Sequence, residues 1–151
     1  GINIMGTSAI DVDRAEASTK FGKDIQIWMS AYVVLKDTTK EAQEYVHDYV
    51  VTQGDDAAVQ NILNNSEIDT TKLSPEAASK QSFSLKAGFY GYPLVGDPDH
   101  VAELFKNLSD AGVDGFLLTW LDYEGGLARF GRELLPRLEK AGLRAPFIEM
   151  V

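Results

Sequence analysis

Cysteine is absent from this 151-residue chain, which excludes disulfides, thiolate metal sites and cysteine nucleophiles together. Histidine is nearly absent: His47 and His100 are the only two, and no second histidine stands at a ligand spacing from either, so no metal site is expected. Basic residues are scarce. Fourteen Lys and Arg face 23 Asp and Glu, and a net charge of -9 without a basic cluster argues against a nucleic-acid partner. No apolar run approaches the roughly 18 residues of a spanning helix, and no basic stretch precedes an apolar one near the start. A protein without a membrane partner, residing in the cytoplasm, is the expectation. Internal repeats and low-complexity tracts are missing too.

What is present is an unambiguous helix-to-strand unit. Asp97 suits an N-cap, Pro98 stands where its missing N–H costs nothing, and Val101, Leu104, Phe105 and Leu108 recur at helical spacing before Gly112 ends the helix. The apolar run Val113–Leu121 after it suits a strand buried on both faces of a parallel sheet. The class is therefore α/β. Gly96-Asp97-Pro98 reads as a cap rather than an anion site, because Asp97 and Asp99 fill the position with negative charge. Gly125-Gly126 alone is a weak phosphate signal.

Upstream, Ile2-Asn3-Ile4-Met5 reads as a strand on which the chain opens directly, and Asp11–Phe21 as a short helix ended by Gly22. Ile25–Leu35 is a long strand with two unlike faces: Ile25, Ile27, Met29, Ala31 and Val33 on one, Gln26, Trp28, Ser30 and Tyr32 on the other. A helix opens at Thr38 or Thr39 and runs to about Val51. Helical pieces are predicted near Asp56–Leu63 and after Ser74-Pro75, inside an insertion over residues 52–92 of the kind that forms lids. The last helix, Glu124–Ala141, turns Leu127, Phe130, Leu134 and Leu138 inward, and Pro136 should kink or split it.

Three blocks taken in order resemble the C-terminal part of the luciferase-like flavin-dependent monooxygenases, the (β/α)8 barrel family of bacterial luciferase and alkanesulfonate monooxygenase. They are Trp28-Met29-Ser30-Ala31-Tyr32-Val33-Val34-Leu35-Lys36-Asp37-Thr38, then Tyr92-Pro93-Leu94-Val95-Gly96-Asp97-Pro98, then Ala111-Gly112-Val113-Asp114-Gly115-Phe116-Leu117-Leu118 through Phe130-Gly131-Arg132-Glu133-Leu134-Leu135-Pro136. The resemblance implies one partial-barrel domain over residues 1–151, roughly the last three β/α units, with residues 52–92 as a mobile insertion. A closed barrel of this kind typically needs about 250 residues. The expectation is thus a fragment that is inactive alone, completed by an N-terminal half-barrel or by a second copy of itself.

The same resemblance implies reduced FMN supplied by a flavin reductase, or the deazaflavin of some relatives, together with O2 and a small organic substrate. Where the sulfonate branch sends an Arg and a His into its pocket, this chain has Ser30 and Tyr32, which disfavours a sulfonate anchored by a cation there. Lys86, Tyr90 and Tyr92 fall where the insertion approaches substrate in relatives, and Trp120, Asp122 and Tyr123 follow the last strand at the active-site face of a barrel. Trp28 either stacks on flavin or fills the barrel, Ser30 and Tyr32 either bind ligand or satisfy each other, and Asp122 is either a site residue or an N-cap. No catalytic residue is identified. Two other functions stay open: a non-catalytic truncated barrel that self-associates through exposed strand edges, and another enzyme class on the same scaffold.

Overall fold

The computed structural model describes residues 7–65 and 74–146. In chain order the elements are α1 (Thr7–Phe21), β1 (Trp28–Leu35), α2 (Thr39–His47), a π-helical segment Asp48–Thr52, α3 (Asp56–Asn64), α4 (Pro75–Gly88), β2 (Tyr92–Gly96), α5 (Pro98–Asp110), β3 (Gly115–Thr119), α6 (Tyr123–Arg129), a second π-helical segment Phe130–Leu134, and α7 (Leu135–Lys140). The described strands form one parallel sheet in the order β2-β1-β3.

The two strongest strand predictions, β1 and β3, are direct neighbours, paired from Trp28 opposite Gly115 to Tyr32 opposite Thr119. Both are shorter at their starts than the apolar runs suggest. At that start the Asp114 carboxylate accepts the Ile27 N–H at 2.7 Å, while the Ile27 carbonyl accepts the Asp114 and Gly115 N–H groups at 2.9 and 3.3 Å. β2 was not anticipated, because Leu94-Val95-Gly96 reads as the approach to a helix. It pairs with β1 from Ala31–Tyr92 to Leu35–Gly96, on the edge opposite β3. Pro93 has no N–H to give to a further strand, which suits an edge position. The predicted strand at residues 2–5 lies outside the described residues.

Alternation along β1 divides the core. Ala31, Val33 and Leu35 join Leu94 of β2, Val101, Phe105 and Leu108 of α5, and Leu134 and Leu138 on one face. Tyr32 and Val34 turn the other way, onto Ala42 and Val46 of α2, Val50 of the first π-helical segment and Ala87 of α4. Helices thus cover one face, but on the other only the C-terminal half of β1 and Val95 of β2.

The caps are as the sequence suggests. Thr38 forms a reciprocal capping box with Glu41. Asp97 accepts the N–H groups of Asp99 and His100 and the Thr39 hydroxyl proton at 2.6 Å, tying the starts of α2 and α5 together. The Thr39 hydroxyl, followed by the His100 and Asp99 amides, holds the Asp97 carboxyl below the ordinary carboxylate range. Its stabilising contribution is therefore complete above the unfolded value near 3.9 and is lost as pH falls through the lower folded value. Asp97→Ala should cost about 1–2 kcal/mol at neutral pH. Thermal unfolding followed by circular dichroism checks this, and the gap between variant and parent should narrow as pH falls below the unfolded value near 3.9.

The last helix is continuous, but its winding changes to π-helical over Phe130–Leu134, immediately ahead of α7 and Pro136. Leu127 differs from expectation: it is exposed, because the short α6 buries none of its residues.

Candidate functional site

One face of the sheet stays open. Trp28 and Ser30 on β1 are exposed beside Leu117 of β3, which is 61% accessible and stands opposite Ser30. Parallel pairing places Gly115, Leu117 and Thr119 on the same side as Trp28, Ser30 and Tyr32. None of these six carries a charge. A Cβ on Gly115 would lie 2.6 Å from Trp28 Cδ2, so only glycine lets the indole lie against the neighbouring strand. The Trp28 indole N–H donates to Gln26 at 3.2 Å.

Further along, at the C-terminal ends of β1 and β3, the surface deepens into two hollows that share Trp120 as a wall. A cavity of about 130 Å³ is lined by Tyr32, Tyr49, Lys86, Gly88, Thr119 and Trp120 among others. Tyr49 donates its hydroxyl proton to the Ala87 carbonyl at 2.7 Å, and Lys86 pairs with Asp56 at 2.8 Å. The Tyr32 ring is buried, and its hydroxyl has no partner among the described residues. Burial raises both phenols above their ordinary pKa, with the neighbouring tyrosines adding to the effect at Tyr49. At neutral pH both remain protonated hydrogen-bond donors, suited to binding rather than to proton abstraction.

The second hollow, about 190 Å³, is lined by Lys36, Tyr45, Trp120, Asp122, Gly126 and Arg129 among others. Lys36 Nζ lies 3.9 Å over the Tyr45 ring. Arg129 bridges Asp37 at 2.6 Å and Glu133 at 2.8 Å, joining the segment after β1 to the helix after β3. Trp120 is held edge-on by Tyr123 and Phe130, with centroids 5.8 and 5.7 Å away. Its indole N–H is buried without an acceptor, an arrangement that typically costs about 1–3 kcal/mol.

The sequence-predicted residues separate into groups. Trp28, Ser30 and Tyr32 lie along one face of β1, with Leu117 and Thr119 beside them. Trp120 and Tyr123 stand at the end of β3, the Tyr123 and Thr119 hydroxyls 2.9 Å apart. Asp122 is the N-cap of α6, accepting the Gly125 N–H at 3.0 Å. Tyr92 shares the Ala31 face and packs into the opposite core, away from the others. Tyr90 is exposed beside Phe89, and both have positive φ, 66° and 51°, in the turn from α4 to β2. Lys36, Tyr45, Thr119 and Arg129 were not anticipated. Period-two reading of Val113–Leu121 would have placed Thr119 beside Leu117, but nothing local links Arg129 to Asp37, 92 positions away.

Among the described residues no group of three or more His, Cys, Asp or Glu is placed to hold a metal ion, and no helix is long and apolar enough to cross a membrane. No family model matches the chain. It is 26% identical over 152 residues to an FMNH2-dependent dimethylsulfone monooxygenase of Pseudomonas fluorescens, covering 96% of this chain and 41% of that protein. The Pseudomonas putida protein of the same name is 28% identical over 144 residues, 90% of this chain and 39% of that one. A sulfoquinovose monooxygenase of Agrobacterium fabrum is 23% identical over 143 residues, 85% and 37%. Among solved structures, a riboflavin lyase superposes with a TM-score of 0.73 at 22% identity over 92% of this chain and 37% of that one. A long-chain alkane monooxygenase does so with 0.69 at 24%, over 95% and 36%. The structural likeness establishes the fold, and the chain spans about two fifths of the length of the curated relatives it matches.

Proposed function

We propose, on the premise that the homologues of this chain are luciferase-like FMN-dependent monooxygenases, that it forms one wall of the flavin and substrate site of such an enzyme, acting on a small organic molecule. The observation that carries this reading is the open, uncharged, aromatic face of β1 and β3. In a parallel barrel that face would point inward, and an unclosed sheet leaves it to solvent. Reduced FMN, delivered by a reductase, supplies the electrons with which O2 is activated.

The residues present fit such a group. The indole of Trp28, flattened against Gly115, offers an apolar surface for a planar ring, while Ser30, Thr119 and Tyr32 offer hydrogen bonds along its edge. Ala87 of α4 joins Ala42 and Val46 of α2 and Val50 of the first π-helical segment over the C-terminal half of β1, so α4 contributes to excluding water from Tyr32, the part a lid plays at such a site. The strands that close the barrel come from a further half-barrel or a second copy, so the chain alone does not turn over. Without a charged residue on the open face, the preferred substrates are neutral.

A decisive experiment fuses the chain behind the remaining part of the Pseudomonas fluorescens relative and measures FMN retention and reductase-driven oxygen uptake. The fusion should retain flavin where the isolated chain does not. Trp28→Ala should weaken retention about tenfold, the loss of one good aromatic contact plus buried area. Retention unaffected by that change would refute the wall assignment. Uncovered Trp28 and Leu117 also favour a second reading, self-association without turnover. Size-exclusion chromatography of the isolated chain separates the two: a dimer with no flavin retention in either form would favour the second.

A further inference from the structure

We propose that the groove between the first π-helical segment, α3 and the end of α4 holds the straight alkyl chain of a neutral substrate, with Phe89 as the residue that walls it and sets the preference for such chains. This rests on the flavin-wall reading above and names the substrate class of that site.

The groove measures about 370 Å³, within the range of about 300–1,000 Å³ that small-molecule sites span. Val59 and Leu85, both buried, form its floor, while Ile62, Phe89 and Leu121 on its sides are 42%, 71% and 61% accessible. The polar side chains on the lining already have partners. Tyr49 donates to the Ala87 carbonyl, Gln53 to Asp48 at 2.6 Å, Asp55 accepts the Ala58 N–H at 2.9 Å, and Lys86 pairs with Asp56. What the groove has left to offer is hydrocarbon surface, so the part of a ligand that it suits is hydrocarbon. Tyr49, Lys86 and Leu121 also border the 130 Å³ cavity beside Tyr32 and Thr119, whereas Phe89 borders the groove alone. A chain lying there points its head toward the flavin wall and its tail past Phe89.

The backbone supplies an independent observation. Phe89 follows α4 in the left-handed conformation, φ 51° and ψ 50°, its N–H donating to the Leu85 carbonyl at 3.0 Å. Glycine or asparagine ordinarily takes that position, because a larger side chain is strained in it. Burial does not offset the strain, since the ring stands mostly in solvent. A strained, exposed aromatic ring at the side of an apolar groove serves what enters the groove rather than the fold.

Straight-chain primary alcohols from butanol to decanol are titrated into the chain carrying ¹³C-methyl isoleucine. Ile62, assigned through Ile62→Val, reports on the groove, and Ile27, packed against the opposite core, is the internal control. The Ile62 signal should move saturably while Ile27 stays still, with affinity rising about fourfold per added methylene until the chain outgrows the groove. Phe89→Gly should weaken binding of the tightest alcohol about tenfold and raise the midpoint of thermal unfolding by about 2–4 °C, opposite signs that a residue serving only the fold would not give. An Ile62 signal that stays still, that moves in step with Ile27, that ignores chain length, or that responds equally in Phe89→Gly overturns the assignment. So does an Ile62 signal that shifts with protein concentration before alcohol is added, which would mean that a second copy fills the groove. Length-dependent binding combined with no flavin retention in the fusion would refute the wall and leave the groove standing; the reverse would refute the groove alone.

Discussion

Leu94→Ala is expected to lower the unfolding free energy by about 3–4 kcal/mol, while Leu117→Ala costs less than about 0.5 kcal/mol. Both are leucines in short edge strands of one sheet, and the difference lies wholly in what covers them. Leu94 is fully buried, paired with Val33 in register and enclosed by Val101, Phe105, Leu108 and Leu134. Truncation there removes transfer energy and leaves a cavity that rigid neighbours on two helices cannot close. Leu117 points from the same sheet into solvent and is 61% accessible, so its truncation removes little buried surface and leaves no cavity. Urea denaturation of the two variants at fixed protein concentration makes the comparison. Equal losses would mean that the β1–β3 face is covered in solution, and the unburied wall on which the functional reading rests would not exist.

Gly88→Val should be the second large effect, about 2–3 kcal/mol, with Tyr32→Ala recovering at least about 1 kcal/mol of it in the double variant. Gly88 ends α4 directly over the Tyr32 ring, and any Cβ there collides with that ring. The sheet lies behind the ring, and Tyr49 borders the cavity beside it. Adding branched carbon must therefore lift α4 or expel Tyr32. A double-mutant cycle read by chemical denaturation isolates the clash from the intrinsic helix effect of valine. Additive losses would show that the two residues do not touch, and Tyr32 would then not be seated beneath α4.

How much of this was legible beforehand depended on whether the deciding interaction was local. Asp97, Pro98 and the spacing of Val101, Phe105 and Leu108 determine α5 within a dozen residues, and that helix stands where the sequence places it. Trp28, Ser30 and Tyr32 were assigned to one face by strand alternation alone, and they share it. β2 escaped because five residues containing a proline carry too little pattern. What makes it a strand is the unpaired edge of β1, a partner some sixty positions earlier. Tyr92 illustrates the same limit, since its side depends on the register of that pairing and not on its neighbours in sequence. The hollow at the ends of β1 and β3 was invisible for a like reason: Lys36, Trp120 and Arg129 meet only after two β/α units are laid side by side.

The π-helical turn at Phe130–Leu134 has one further consequence, for angular phase. In an α-helix each residue advances about 100°, so four residues overshoot a full revolution by about 40° and eight by about 80°. Phe130, Leu134 and Leu138 are spaced four and four, yet all three reach the same apolar layer. The wider turn, bonded five residues apart, rotates less per residue and offsets the overshoot of the α-helical turn that follows. One irregular winding thus lets a single rod steady Trp120 with its first third and clamp the sheet with its last.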